Sequence, residues 1–202
     1  MKTIYATTQQ HLDIEDIVSD LAILKDGSAC LILSVSAINF GLLSEREQEA
    51  TIYAYAQLLN SLTFSIQIVI SSKQKDISEY LAYLDTNLEK ITSPLIKNQM
   101  LKYRGFVKSI VRQGNVLDKK FFVVIPFSSL ELGAGSAVKT LINSTPKLNM
   151  PIDQIAQKAE LSLSPKRDHL IRLFARIGLR ARQLTGAEIK QLFFESYNRD
   201  QI

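Results

Sequence analysis

Between Leu21 and Ser72 the chain holds three short apolar runs and one segment of helical period, and only an architecture that combines strands with helices accommodates that order. Leu21-Ala22-Ile23-Leu24 and the run Ala29 to Ser36 flank Lys25-Asp26-Gly27-Ser28. An Asp-Gly pair between apolar runs predicts a β-hairpin with a type I′ turn. Both central residues of that turn need positive φ, which Asp tolerates and Gly adopts freely. Ser44 stands three residues before Glu47, the spacing of a capping box, so a helix is expected to begin there. Ala50, Tyr53, Ala54, Gln57, Leu58 and Ser61 recur at three and four residues and form its sheet-facing stripe. The run Ser65 to Ser71 is short and β-branched, and predicts a strand with Ile68 inside the sheet.

Helical spacing returns from Asp76 to Asn115 through Tyr80, Leu81, Leu84, Leu88, Ile91, Leu95, Tyr103, Phe106, Val107 and Ile110. Ser93-Pro94 divides it, because proline suits a first helical turn, where its missing N–H is not needed. Tyr80, Tyr83 and Tyr103 could form a stacking platform for bases, but beside Leu and Ile they fit core or partner-facing positions better. Lys119 to Pro126 predicts a central strand closed by its proline. Ser128 to Pro151 is rich in Ser, Gly, Thr, Asn and Pro and is expected to be a mobile loop over 128–151. The last third reads as a short helix from Ile152 to Ala159, then a second from Ser164-Pro165 to Ile177, buried through Leu170, Leu173, Phe174 and Ile177. Gly178 ends that helix. Leu179 to Leu184 alternates as an edge strand, and Thr185 with Glu188 caps a final helix whose Ile189, Leu192, Phe193 and Tyr197 face inward.

The expectation is therefore one α+β domain over 12–202, a mixed or antiparallel sheet of about five strands with helices mainly on one face, preceded by a flexible tail at 1–11. No run approaches the roughly 18 uncharged apolar residues of a membrane span, and the first ten residues are too polar for a signal peptide, which places the chain in the cytoplasm. Its single cysteine, Cys30, lies in an apolar strand and reads as a small buried hydrophobe.

Few residues point to chemistry. Gly133-Ala134-Gly135-Ser136-Ala137-Val138-Lys139-Thr140 imitates a phosphate-binding loop, but Val138 stands where a second glycine must let the backbone wrap the phosphates. His11 and His169 have no second ligand nearby, and Asp13, Glu15, Asp16 and Asp20 form a polar lead-in of solvated carboxylates. No catalytic grouping, metal set or cofactor motif stands out, so a nonenzymatic role is expected. The formal charge is +4 and unevenly placed: residues 139–202 carry 11 Lys and Arg against 6 Asp and Glu, and residues 1–138 carry 13 against 14. Arg172, Arg176, Arg180 and Arg182 are the candidate partner-binding residues, with Arg172 and Arg176 on one helical face.

Lys25-Asp26-Gly27-Ser28, Val35 to Leu42, Leu59-Asn60-Ser61-Leu62 and Ile66-Gln67-Ile68, with the strand ending Pro126-Phe127-Ser128 and echoes at Gly178-Leu179 and Phe193 to Asn198, make the chain resemble the amino-terminal domain of the TraC-like conjugative-transfer ATPases of type IV secretion systems. The resemblance implies a module that docks onto other secretion-system proteins, a separate motor ATPase and inner-membrane subunits among them, at the inner face of the cell membrane. It also implies a chain that stops where the family's motor would begin. The alternative is a basic, helix-turn-helix-like nucleic-acid-binding protein, in which two helices around Ser162 to Lys166 lead into the arginines.

Overall fold

The computed structural model describes residues 12–74, 77–113, 117–132 and 150–198. In chain order the elements are β1 (Ile14–Val18), β2 (Leu21–Leu24), β3 (Ala29–Val35), α1 (Glu45–Ser61), β4 (Gln67–Gln74), α2 (Ser78–Lys90), α3 (Pro94–Gln113), β5 (Leu117–Phe127), α4 (Ile152–Arg176), β6 (Ala181–Gln183) and α5 (Gly186–Tyr197). The fold is α+β. Its antiparallel six-stranded sheet runs β1-β2-β3-β5-β4, with β6 added to β3. β5 follows β3 from Ala29↔Phe127 to Val35↔Phe121. On the other side of β3 two short strands share the edge, β2 opposite Ala29 and Cys30 and β6 opposite Leu33 to Val35.

Alternation along the inner strands sends side chains into two cores, because successive residues of a strand face opposite ways. Leu21, Ile23, Leu31, Leu33, Val123 and Ile125 enter the larger core, which α4 closes with Ile155, Ala159, Leu163 and Leu170. Ala22, Ile32 and Phe122 enter the smaller core, with Leu184 and Ile189. Cys30 packs against that second core, and burial pushes its thiol up to about 11, as expected of an unreactive small hydrophobe.

The chain divides into two compact units, one drawn from Met1–Val69 and Phe121–Ile202, the other Ile70–Lys120. In the second unit α2 and α3 meet between Lys90 and Pro94, the division read from Ser93-Pro94. Arg104 holds Asp85 across the two helices through Nε (2.6 Å) and Nη2 (2.8 Å), and the Tyr80 and Tyr103 hydroxyls lie 3.1 Å apart. Leu84 is the buried hydrophobe of this unit among the described residues; Leu81, Leu88, Ile91 and Val107 of the helical run are half-buried and Tyr80, Leu95, Tyr103, Phe106 and Ile110 exposed. Of the two positions open to Tyr80, Tyr83 and Tyr103, core or partner-facing, core is excluded.

Several other expectations are corrected. β1 is a real strand, although Asp13, Glu15, Asp16 and Asp20 make the segment a polar lead-in by sequence and Ile14, Ile17 and Val18 are too few to stand out. The turn with two consecutive positive φ values is Ser19-Asp20 (52° and 58°) between Val18 and its partner Leu21. The Asp-Gly turn instead closes with the Gly27 N–H on the Leu24 carbonyl (3.0 Å) and φ of +82° at Gly27 alone, a tight turn followed by one left-handed glycine. Ile68 lies on β4 at the sheet's end and is 50% exposed, not inside, and on α1 Tyr53 is exposed while Leu58 carries the burial. Tyr197 is likewise exposed.

The most consequential correction is α4. It runs unbroken for 25 residues with Pro165 inside, where two helices were expected. Proline removes one i→i−4 hydrogen bond and crowds the preceding turn, yet Ala159, Leu163, Leu170 and Phe174 keep one apolar stripe in phase across it. Burial of that stripe outweighs the local defect. The helix-turn-helix reading therefore has no turn to stand on. Gly178, with φ of +85°, then ends α4: the Gly178 and Leu179 N–H groups donate to the Ala175 and Phe174 carbonyls, a cap that favours glycine at the left-handed position. The Gly133 to Thr140 segment, the tail at 1–11 and residues 133–149 of the expected loop lie outside the described residues, whereas Ser129–Leu132 forms one 3-10 turn.

Candidate functional site

The end of β3 is where α4, β5 and β6 converge. Ser36 continues the pairing with β6: its N–H donates to the Arg180 carbonyl at 2.8 Å, and its hydroxyl accepts from the Arg180 N–H at 2.9 Å. Two depressions adjoin there, sharing Val35, Ser36 and Leu179 as lining. One, of about 280 Å³, is apolar and bounded by Tyr55, Ile68, Phe121 and Phe174. The other, of about 610 Å³, lies between Ile171 and Ala175 of α4 and Arg180, just before β6, and Arg182 of β6.

The local sequence explains this arrangement. Gly178 lets the chain leave α4 sharply, which brings Leu179 back over the Phe174 carbonyl and sends Ala181 to Gln183 antiparallel to β3. The three-residue strand then leaves alternate side chains outward, and Arg180 and Arg182 are exposed as the alternation implied.

The four arginines are not equivalent. Arg182 grips Glu188 through both terminal nitrogens, at 2.7 and 2.8 Å, so its charge is matched. Glu188 also accepts from the Thr185 N–H at 2.9 Å as part of the capping box of α5. Arg182 first, and the Thr185 amide second, hold the Glu188 carboxyl down at about 2. The Arg180 side chain has no ion-pair partner among the described residues and stands at the rim of the larger depression. Arg172 and Arg176 are exposed on α4, but neither lines the depressions. The structure thus brings Arg180 and Arg182 together and leaves the other pair apart.

Tyr55, Phe121 and Ser36 were not singled out from the sequence. The double aromatic Phe121-Phe122 was a usable signal, since strand parity must send one ring to each face. His169 is half-buried on α4, and no group of three metal-binding side chains occurs among the described residues.

Fold and site together define an antiparallel α+β domain with an open, two-part depression at one end of its central strand. The chain belongs to the archaeal TraC-like domain family, whose model matches residues 17–199, from within β1 to just past α5. The family's name links it to conjugation. No curated protein and no solved structure matches the chain. Among the described residues no helix is long and apolar enough to cross a membrane.

Proposed function

We propose that this chain is a noncatalytic docking module of a conjugation or type IV secretion apparatus, working beside a separate motor ATPase and against inner-membrane subunits from the cytoplasmic side. The observation that carries the reading is the apolar hollow of Tyr55, Phe121 and Phe174 set next to the unmatched Arg180. An apolar anchor in a preformed hollow supplies affinity, and a neighbouring charge supplies orientation. The fitting partner segment carries one bulky apolar side chain followed closely by a carboxylate.

The test is co-expression with the motor ATPase and small membrane proteins encoded beside it, followed by affinity purification. The proposal expects a stable complex that Tyr55→Ala or Arg180→Glu weakens at least tenfold while the thermal midpoint stays within a few degrees. Absence of any complex would refute it. So would sequence-selective, submicromolar DNA binding at about 200 mM salt that Arg172→Ala with Arg176→Ala abolishes, because phosphate contacts fade steeply over that salt range.

A further inference from the structure

We infer that the α2–α3 unit is a lipid-surface anchor, with α3 lying on an anionic membrane through its exposed apolar stripe. Ile70–Lys120 carries 10 Lys and Arg against 5 Asp and Glu, an excess equal to that of residues 139–202, whereas the rest of the chain carries 3 against 9. α3 itself holds Lys97, Lys102, Arg104, Lys108 and Arg112 and no acidic residue over its 20 residues. Of Lys97, Lys102, Arg104 and Lys108, Arg104 alone has a carboxylate partner among the described residues, Asp85.

Five exposed apolar residues of α3 are placed as an interfacial helix needs them, with Leu101 alone on the opposite side. Ile96, Tyr103 and Ile110 recur every seven residues, and Leu95 and Phe106 fall beside them at 100° per residue. Leu95 is 77% and Phe106 58% exposed, and the other three are exposed as well. Lys102 borders this stripe next to Leu95 and Phe106, and Lys97 and Lys108 lie farther round the helix. Tyr80 reaches the same face through its hydroxyl contact with Tyr103. A helix with Leu and Phe on one side and lysines on the others buries its apolar side at the headgroup boundary, while the cations draw it to anionic lipid. Tyrosine suits that depth, since its ring is apolar and its hydroxyl polar.

Charge decides between the possible occupants of this face. A second copy of the chain would bring the same excess of cations against this one. An acidic helix from another protein would need cations along both borders of the apolar stripe, and only Lys102 borders it, with Lys97 and Lys108 on the far side; the field of an anionic lipid surface attracts all three without direct contact. This inference rests on the peripheral, inner-face placement proposed above and adds the surface that achieves it.

The experiment is flotation of the full chain with vesicles of phosphatidylcholine alone or with about 30% phosphatidylglycerol. Partitioning at least tenfold stronger onto the anionic vesicles is expected at about 100 mM salt, with most of it lost at about 500 mM. Lys97→Glu with Lys102→Glu and Lys108→Glu, and separately Leu95→Ser with Phe106→Ser, should each remove it. These positions are exposed, and unchanged circular dichroism would show that the variants fold. Because the chain has no tryptophan, Phe106→Trp supplies a single reporter. Its emission should shift to the blue on anionic vesicles and be quenched by brominated lipid. Equal partitioning onto both vesicle types, an unmoved emission, or displacement from vesicles by a soluble acidic helical peptide would overturn the inference. Tyr55→Ala should leave flotation intact, so loss of partner docking and loss of lipid binding are told apart.

Discussion

The sheet unit and the α2–α3 unit dispose of the same kinds of residue in opposite ways. In the first, Leu21, Ile23, Leu33 and Leu163 are completely buried, and strand and helix stripes close on each other. In the second, Leu84 is buried, whereas tyrosines of α2 and leucines, isoleucines and aromatics of α3 stand in solvent. The comparison teaches that helical period reports an apolar face but not what covers it. A sheet presents a wide surface that α4 can seal, whereas two helices bury only the seam between them and leave their outer apolar faces open.

The sharpest way to break this comparison is truncation. Leu163→Ala or Leu31→Ala should cost about 2 to 5 kcal/mol, the range for leucines in sealed cores. Leu95→Ala should stay within about 0.5 kcal/mol, as surface changes do. Urea denaturation of the three variants measures this, and comparable losses would mean that α3 is covered in solution. Within the sheet, Val123→Ala in β5 should destabilise more than Ile68→Ala, since Val123 is 3% exposed and Ile68 half exposed.

A smaller effect is expected at the Ser19-Asp20 turn. Asp20 accepts the Gly186 N–H at 2.6 Å at the start of α5, and its carbonyl accepts from the Gln183 side chain at 3.2 Å. Asp20→Ala removes the first acceptor and puts Ala at positive φ, so a loss of about 1 to 2 kcal/mol is expected. Asp20→Asn keeps an acceptor oxygen and tolerates the backbone, and should come close to the parent. Thermal unfolding of both variants checks the contrast; an equal loss would show that the carboxylate's charge, not its geometry, matters.

The smallest effect concerns acid. Glu188 is held down at about 2 by Arg182 and Thr185, below the ordinary carboxylate range near 4.3. A depressed carboxyl stabilises the fold above its unfolded value and loses that contribution as pH falls toward 2. Melting from pH 6 to pH 2.5 should therefore be flatter for Glu188→Gln than for the parent chain. Parallel curves would remove the Arg182–Glu188 pair from the stability of the α5 start, and the α2–α3 unit, whose Arg104–Asp85 pair is separate, should be indifferent to the change.

How much was legible depends on whether the deciding contacts are local. The capping boxes at Ser44-Glu47 and Thr185-Glu188, the helix start at Pro94 and the stop at Gly178 were all readable, since each is settled within a few residues by backbone hydrogen bonding or by one left-handed position. The outward Arg180 and Arg182, just before β6 and within it, were readable for the same reason, because strand alternation is a local rule. The depression beside them was not, as Tyr55, Phe121 and Phe174 come from three separate elements.

By itself, then, the sequence determined the kinds of element, their order for most of the chain, the α+β class and the resemblance to the TraC-like family that the match over 17–199 bears out. The tertiary structure decided that Pro165 is carried inside one helix, that β4 is at the end of the sheet, that the exposed Asp20 also ties its turn to the start of α5, and which apolar stripes are sealed. The physical reason is range. Caps, turns and strand parity are fixed by neighbours in the chain, whereas burial is a property of surfaces that meet from distant segments, and its free energy is large enough to override a local preference such as proline's.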